Sequence, residues 1–315
     1  MYYSKRFRIL ATGSYAPMKV LTNEELSKTV STTSEWIYAN LGIKERRIAA
    51  SDEFTSDVAT RAALVAIETS GIDKEEIDLI LVATATPDRK APSTACIVKH
   101  KLGIKNHCPA FDLAAVCSGF VYGMCLASSL IESGAHKKIL LIGADTFSKI
   151  TDWNRRDCVF FGDGAGAVLL GVDDTEQSFF AGRLYSETEN TDNFTVYPSD
   201  ESFTMNGKAV YETGSTVLPK AIGDLLQENG FQPKDLSCII PHQPSKRLLE
   251  TTAQRLEIPF EKIHTNMEFF ANTSGATVPL LLDEVARNKA PKKGDLVAFA
   301  AVGSGWTWGA ALYRW

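Results

Sequence analysis

The sequence predicts a layered α/β protein built from two similar halves. Two observations carry that expectation. Short β-rich runs alternate with helical patterns through the first half, and the order of elements over residues 71–133 recurs over residues 230–288. Strands that alternate with helices in this way are covered on both faces, so sheets sandwiched between helices are expected.

The elements follow in order. Residues 77–84 (IDLILVAT) form an apolar run of strand length, and a helix is expected near 93–102, opened at Ser93 just after Pro92. A second strand falls in 108–116 (CPAFDLAAV), a helix near 118–133 is closed by Gly134, and a third strand spans 137–145 (KKILLIGAD). The recurrence sets GIDKEEIDLILVATATP, KLGI and CPAFDLAAVCSGF against GFQPKDLSCIIPHQP, RLEI and IHTNMEFFANTSGATVPL, each followed by a helix.

In that register Cys117 and Asn272 are equivalent, and small residues follow each. If the halves pack about a pseudo-twofold axis, two helix N-termini meet at its centre. Helix N-termini carry partial positive charge and unpaired N–H groups, a setting expected to lower a cysteine pKa and to suit an anionic oxygen. The division is placed between 172 and 173, giving an N-terminal half (1–172) with the cysteine and a C-terminal half (173–315) with a histidine and the asparagine. Residues 173–206 are polar and acidic. Phe179, Phe180, Phe194 and Tyr197 argue that this segment is strands with an irregular surface loop, not a flexible tether.

Composition excludes several function classes. The chain has 315 residues, 44% of them hydrophobic and 23% charged, enough for one large or two ordinary globular domains. A formal net charge of −5 with dispersed charges gives no footprint for nucleic acid. No long uncharged apolar stretch and no signal-peptide pattern occur, so no membrane association and a cytoplasmic location are expected. The cysteines at 96, 108, 117, 125, 158 and 238 contain no CxxC pair and no histidine at ligand spacing. Neither a metal site nor a disulfide scaffold is expected.

A buried cysteine is ordinarily a small packed hydrophobe. Cys117 differs by its place at a strand-to-helix turn before Ser118-Gly119, whereas the other five lack that context. His242, in CIIPHQPS, lies at the C-terminal end of a strand, where ligands bind in α/β sheets and where an imidazole can hold a proton near neutral pH. Asn272, in FFANTSG, can cap a helix or donate its amide to a developing oxyanion. The runs GDGAGAVLLG (162–171) and AVGSGWTWGAAL (301–312) lack a dinucleotide or phosphate-loop spacing. Their glycines read instead as close-approach positions, with the Ser304 N–H a candidate oxyanion donor. Trp36 and Arg155 could sandwich an adenine ring.

The stretches EWI…GIKERR, CPAFDLAAVCSGF, FGDGAGAVLLG, PHQPS, NTSGAT and GSGWTWGAAL occur in that order along the whole chain. Together they resemble the β-ketoacyl-acyl carrier protein synthase III family of thiolase-fold condensing enzymes. The resemblance implies a thiolase-like five-layer α/β/α/β/α fold and a homodimer. It implies that Cys117 is the acyl-accepting nucleophile and that His242 and Asn272 assist decarboxylation of a malonyl thioester. It places Thr32, Trp36, Arg155, Gly207 and Arg247 in contact with coenzyme A. The partners implied are acyl-CoA and malonyl-acyl carrier protein. No cofactor is implied beyond the coenzyme A thioester, which is a substrate.

The chain departs from the family pattern at named positions. HQPS puts Ser245 where an asparagine is usual, so Ser245 is taken as a substrate-binding position. Gly303-Ser304-Gly305 replaces a triple glycine, while Asn40, Ala271, Val302, Glu212 and Gln254 also differ. Two other readings stand beside the main one: a specialised synthase or acyltransferase passing the cysteine-bound acyl group to a β-keto acid, amine or hydroxyl, and a non-catalytic partner subunit.

Overall fold

The computed structural model describes residues 1–173, 178–189, 191–197 and 202–315. The first sheet runs in the order Phe7–Tyr15, Asp163–Val172, Lys138–Thr146, Leu79–Ala83 and Ala110–Leu113. Leu79–Ala83 is parallel to both its neighbours, and the remaining pairs are antiparallel. The second sheet repeats those senses through Phe180–Ser186, Thr307–Arg314, Leu296–Gly303 and Leu236–Pro241. A single parallel bridge between Ile239 and Ile263 stands where Ala110–Leu113 stands in the first. One strand crosses the division between the halves: Tyr2–Ser4 pairs with Phe180–Ser186 on the edge of the second sheet.

Helices cover these sheets in three layers. Thr55–Ser70 and Thr94–Leu102 lie on the outer face of the first sheet, where Val58, Ala59, Ala62, Ala63 and Ala66 meet Ile80, Val82, Leu140 and Ile142. Gly119–Glu132 and Thr277–Arg287 fill the centre, with Phe120, Met124, Val278 and Leu281 packed between Leu141 of one sheet and Phe299 of the other. Gly207–Glu228 and Lys246–Arg255 lie outside the second sheet, against Ile239, Ala298 and Ala300. The result is the expected five-layer α/β/α/β/α fold of two similar halves. Its sheets are sandwiched, which is why their strands read as unbroken apolar runs: Ile139 and Leu141 face the centre while Leu140 and Ile142 face outward.

Local signals account for the element ends. The Ser93 hydroxyl accepts from Cys96 N at 3.2 Å and opens Thr94–Leu102, and Gly103 ends that helix with a left-handed φ of 66°. The strand expected over 108–116 is only Ala110–Leu113, because Asp112 turns its carboxylate to Thr94 N and Ala95 N (2.7 and 2.8 Å) and the chain then leaves the sheet. Within 173–206, residues 174–177, 190 and 198–201 lie outside the described residues. The rest contains Phe180–Ser186, Phe194–Thr195 and Thr204–Met205. Phe179, Phe180 and Phe194 are packed, whereas Tyr197 is exposed. No helix among the described residues is long and apolar enough to cross a membrane.

Candidate active site

Cys117 is delivered by a sharp turn. After Ala110–Leu113 the chain reaches Val116, a β-branched residue at a left-handed φ of 45°, which opens the 3-10 turn Val116–Ser118 directly before helix Gly119–Glu132. The second half repeats the device. Ser274, at φ 53°, opens the 3-10 turn Ser274–Ala276 before helix Thr277–Arg287. The structural counterpart of Cys117 is therefore Gly275, three residues beyond Asn272, and the expected equivalence of Cys117 with Asn272 is corrected. The short helix Met267–Phe270 precedes the second turn where a strand precedes the first, so matching the two by their small residues slips the register.

The thiol donates to the Ser274 hydroxyl at 3.5 Å. Burial pushes its pKa up to about 12; the Ser274 hydrogen bond offsets this in part, and the nearby Asp145 carboxylate adds to it. This direction is opposite to the lowering expected from the helix N-terminus, with desolvation of the thiolate the largest influence.

His242 follows strand Leu236–Pro241, and its N–H donates to Ala300 O at 2.8 Å. The next residue fixes this corner. Gln243 donates from Nε2 to Asn266 Oδ1 (2.9 Å) and accepts at Oε1 from Asn266 N and Met267 N (2.9 and 3.0 Å). The His242 ring is buried and its Nδ1 has no hydrogen-bond partner among the described residues. Burial lowers its pKa to about 3, so the imidazole is neutral at physiological pH, with one ring nitrogen able to donate and the other able to accept. Asn272 is tied by its backbone to Phe160 O and Gly162 N, both at 3.0 Å. Its side-chain oxygen accepts from Ser274 N at 2.8 Å, which leaves the amide nitrogen as the free end.

Cys117, His242 and Asn272 line one cavity of about 200 Å³, together with Ser304 and apolar walls that include Val116, Phe161, Phe194 and Trp306. Gly303 lies against Cys117. A Cβ there would stand 3.1 Å from Cys117 N. Ser304 sits one step along, its hydroxyl donating to Phe194 O at 2.6 Å. Among the described residues, no three His, Cys, Asp or Glu side chains converge as a metal site would require.

Comparison with known proteins decides what this cavity belongs to. A family model described as 3-oxoacyl-[acyl-carrier-protein] synthase III, C terminal, matches residues 226–315, and the 3-oxoacyl-[acyl-carrier-protein] synthase III model matches residues 111–188. The β-ketoacyl-[acyl-carrier-protein] synthase III of Thiobacillus denitrificans is 44% identical, covering 98% of this chain and 99% of its own length. That of Neisseria meningitidis is 42% identical with full coverage of both. The chain belongs to the β-ketoacyl-acyl carrier protein synthase III family. The crystal structure of the Aquifex aeolicus 3-oxoacyl-[acyl-carrier-protein] synthase III agrees, with a TM-score of 0.94 at 39% identity over 98% of this chain and all of that one. This β-ketoacyl synthase III family member is a thiolase-fold condensing enzyme and an acyltransferase of fatty acid biosynthesis.

Around the synthase cavity the positions expected to contact substrate fall into two groups. Trp36, Gly207, Ser245 and Arg247 share the wall that Cys117 lines. Thr32 and Arg155 do not. Thr32 has its hydroxyl buried without a partner among the described residues. Arg155 is turned inward: its Nε meets both Asp157 oxygens at 2.9 and 3.0 Å, its guanidinium lies 5.2 Å over Phe203, and it also donates to Phe203 O. The guanidinium over the Trp36 ring, at 4.2 Å, is that of Arg156. The cation over Trp36 in this structure is Arg156 and not the expected Arg155, whose guanidinium the Asp157 carboxylate holds. Sequence reasoning also missed Ser274 and Gly303. Their signal was a positive-φ turn and a close approach, neither of which residue type alone reveals.

Proposed function

We propose that this synthase loads an acyl group from acyl-CoA onto Cys117 and condenses it with malonyl-acyl carrier protein. The observation that carries the reading is convergence: a thiol from one half and an imidazole and carboxamide from the other line a single apolar cavity. In the loading step the Cys117 sulfur attacks the thioester carbonyl, its S–H proton leaves with the coenzyme A thiol, and the N–H groups of Cys117 and Ser304 hold the tetrahedral oxyanion. A thiol neutral in the free enzyme brings that proton with it.

In the second step the bond to the malonyl carboxylate breaks and carbon dioxide leaves. The electron pair spreads onto the thioester oxygen, which accepts hydrogen bonds from neutral His242 and the Asn272 amide. The carbanion then attacks the acyl-Cys117 carbonyl, and the expelled thiolate is reprotonated, giving a β-ketoacyl thioester. Trp36, Gly207, Ser245 and Arg247 receive the coenzyme A or carrier arm, with Thr32, Arg155 and Arg156 beside its path. On this reading the acyl primer is of short to medium chain length. The enzyme acts as a homodimer in the cytoplasm on this reading.

Mass spectrometry of the protein incubated with a panel of acyl-CoA thioesters, paired with carbon dioxide release from malonyl-acyl carrier protein, tests the proposal. The expected result is an acyl adduct on Cys117 that disappears in Cys117→Ala. No adduct with any donor would defeat the loading step, and acylation without carbon dioxide release would defeat the condensation.

A further inference from the structure

The two halves approach the site with matching turns and with different side chains on the strand ends that face those turns. In the first half's central strand Ile139 and Leu141 face the interior, and Asp145, in step with them, ends that face fully buried. In the second half Val297, Phe299 and Ala301 face the interior, and Gly303 ends it. Each strand end abuts the opposite half's turn. Asp145 Oδ2 accepts from Gly275 N at 2.9 Å, while a Cβ on Gly303 would lie 3.1 Å from Cys117 N and 3.0 Å from Ser118 N. Gly275 is the counterpart of Cys117, so the N–H that meets a carboxylate oxygen in the second half corresponds to the Cys117 N–H assigned above to the substrate oxyanion.

The other carboxylate oxygen of Asp145 is held by the first half. It accepts from Thr84 Oγ1 (3.1 Å), Ala85 N (2.8 Å), Thr86 N (3.1 Å) and Thr86 Oγ1 (2.9 Å). The turn it grips belongs to the second half and carries Ser274, whose N–H holds the Asn272 side-chain oxygen at 2.8 Å. Beside the backbone bonds of Asn272 to Phe160 and Gly162, Asp145 is thus a link through which the first half sets the Asn272 carboxamide.

We propose that Asp145 is a positioning residue for the decarboxylation step: it permanently engages the second half's counterpart of the Cys117 N–H and so aims Asn272, while in the first half that N–H is left for substrate. The inference rests on the role given to Asn272 above.

Asp145→Asn is the direct test. With its oxygen retained by the four donors of residues 84–86, its amide nitrogen opposes the Gly275 N–H, so two donors face each other. Carbon dioxide release from malonyl-acyl carrier protein is expected to fall by about 10²-fold, and acyl transfer to Cys117, whose thiol also feels the carboxylate, to change by at least about ten-fold less, so that the ratio of the two rates drops. In an Asn272→Ala background the same substitution is expected to cost less than about three-fold more, because both act through one carboxamide. Thr84→Val, which keeps the carboxylate and removes one of its donors, is expected to show the same selectivity at smaller amplitude if Asp145→Asn does not fold. Equal slowing of both half-reactions, an unchanged decarboxylation rate, or fully additive effects with Asn272→Ala would overturn the inference. An unsubstituted enzyme that forms no acyl-Cys117 or releases no carbon dioxide would instead defeat the functional reading on which it rests.

Discussion

The Cys117 thiol donates to the Ser274 hydroxyl across 3.5 Å, and the two residues come from opposite halves of the fold. That contact is one of few polar ones available to a side chain whose burial pushes its pKa up to about 12. A group with so high a pKa is protonated at neutral pH, and its thiolate fraction grows about tenfold per pH unit. Alkylation of Cys117 by iodoacetamide should therefore rise by about that factor per unit between about pH 7 and 10, with no plateau. A plateau near pH 8, measured by mass spectrometry, would show that the helix N-terminus outweighs burial after all.

Gly303 lies against Cys117 N, and a methyl group there would sit 3.1 Å from that nitrogen, 3.1 Å from Ala115 O and 3.0 Å from Ser118 N. Gly303→Ala should reduce acyl loading by about 10²-fold, the usual cost of losing one oxyanion donor. Far-ultraviolet circular dichroism should remain that of the parent. Loading at the parental rate would place the oxyanion elsewhere.

The two adjacent arginines should separate by function. Arg156 lies 4.2 Å over Trp36, so Arg156→Ala should raise KM for acyl-CoA by about five-fold, roughly the worth of one exposed cation–π contact. It should leave turnover of a short acyl thioester lacking the nucleotide unchanged. Arg155→Ala, which removes an ion pair with Asp157 and the support of Phe203, should lower the melting temperature instead. Interchanged results would restore Arg155 to the clamp.

His242 links stability to pH. In the unfolded chain its imidazole takes a proton near the ordinary value of 6.5, whereas in the folded protein burial lowers that to about 3. Its contribution is complete above the unfolded value and is lost as pH falls from there toward the folded one, at about 1.4 kcal/mol per pH unit. Urea denaturation of the parent and of His242→Gln at about pH 7 and pH 5 should show a shallower loss in the variant. Identical losses would mean that the ring does not titrate as its burial requires.

Close packing at the seam gives a purely structural test. A Cβ on Gly143 would lie 2.2 Å from Gly275 O, a backbone atom that cannot yield without moving the turn carrying Ser274 and Asn272. Gly143→Ala should destabilise the fold by about 3 kcal/mol, seen as a lower urea midpoint. An unchanged midpoint would mean that the two halves are not so tightly joined.

Much of this architecture is legible in the residues. Runs such as LILVA and KILLIGADT can only be strands buried on both faces, and Ser93, Gly103 and Gly134 mark helix ends by local backbone chemistry. Cys117, His242 and Asn272 stand out because each follows an apolar run and precedes small or helix-opening residues. Other features were misread for one shared reason. Residue type cannot tell Arg155 from Arg156 until Asp157 takes one of them, and it cannot show that Val116 pairs with Ser274 rather than with a residue nearer Asn272.

The chain by itself determined the order of elements, the two similar halves and the three side chains suited to the chemistry. Periodicity, turn residues and motif spacing are short-range properties written along the backbone. Only the tertiary structure decided that those side chains share one cavity, that burial raises the pKa of the thiol and lowers that of the imidazole, and that Asp145 meets Gly275 N while Gly303 lies against Cys117 N. Those outcomes depend on desolvation and on contacts between residues more than a hundred positions apart, which no local pattern encodes.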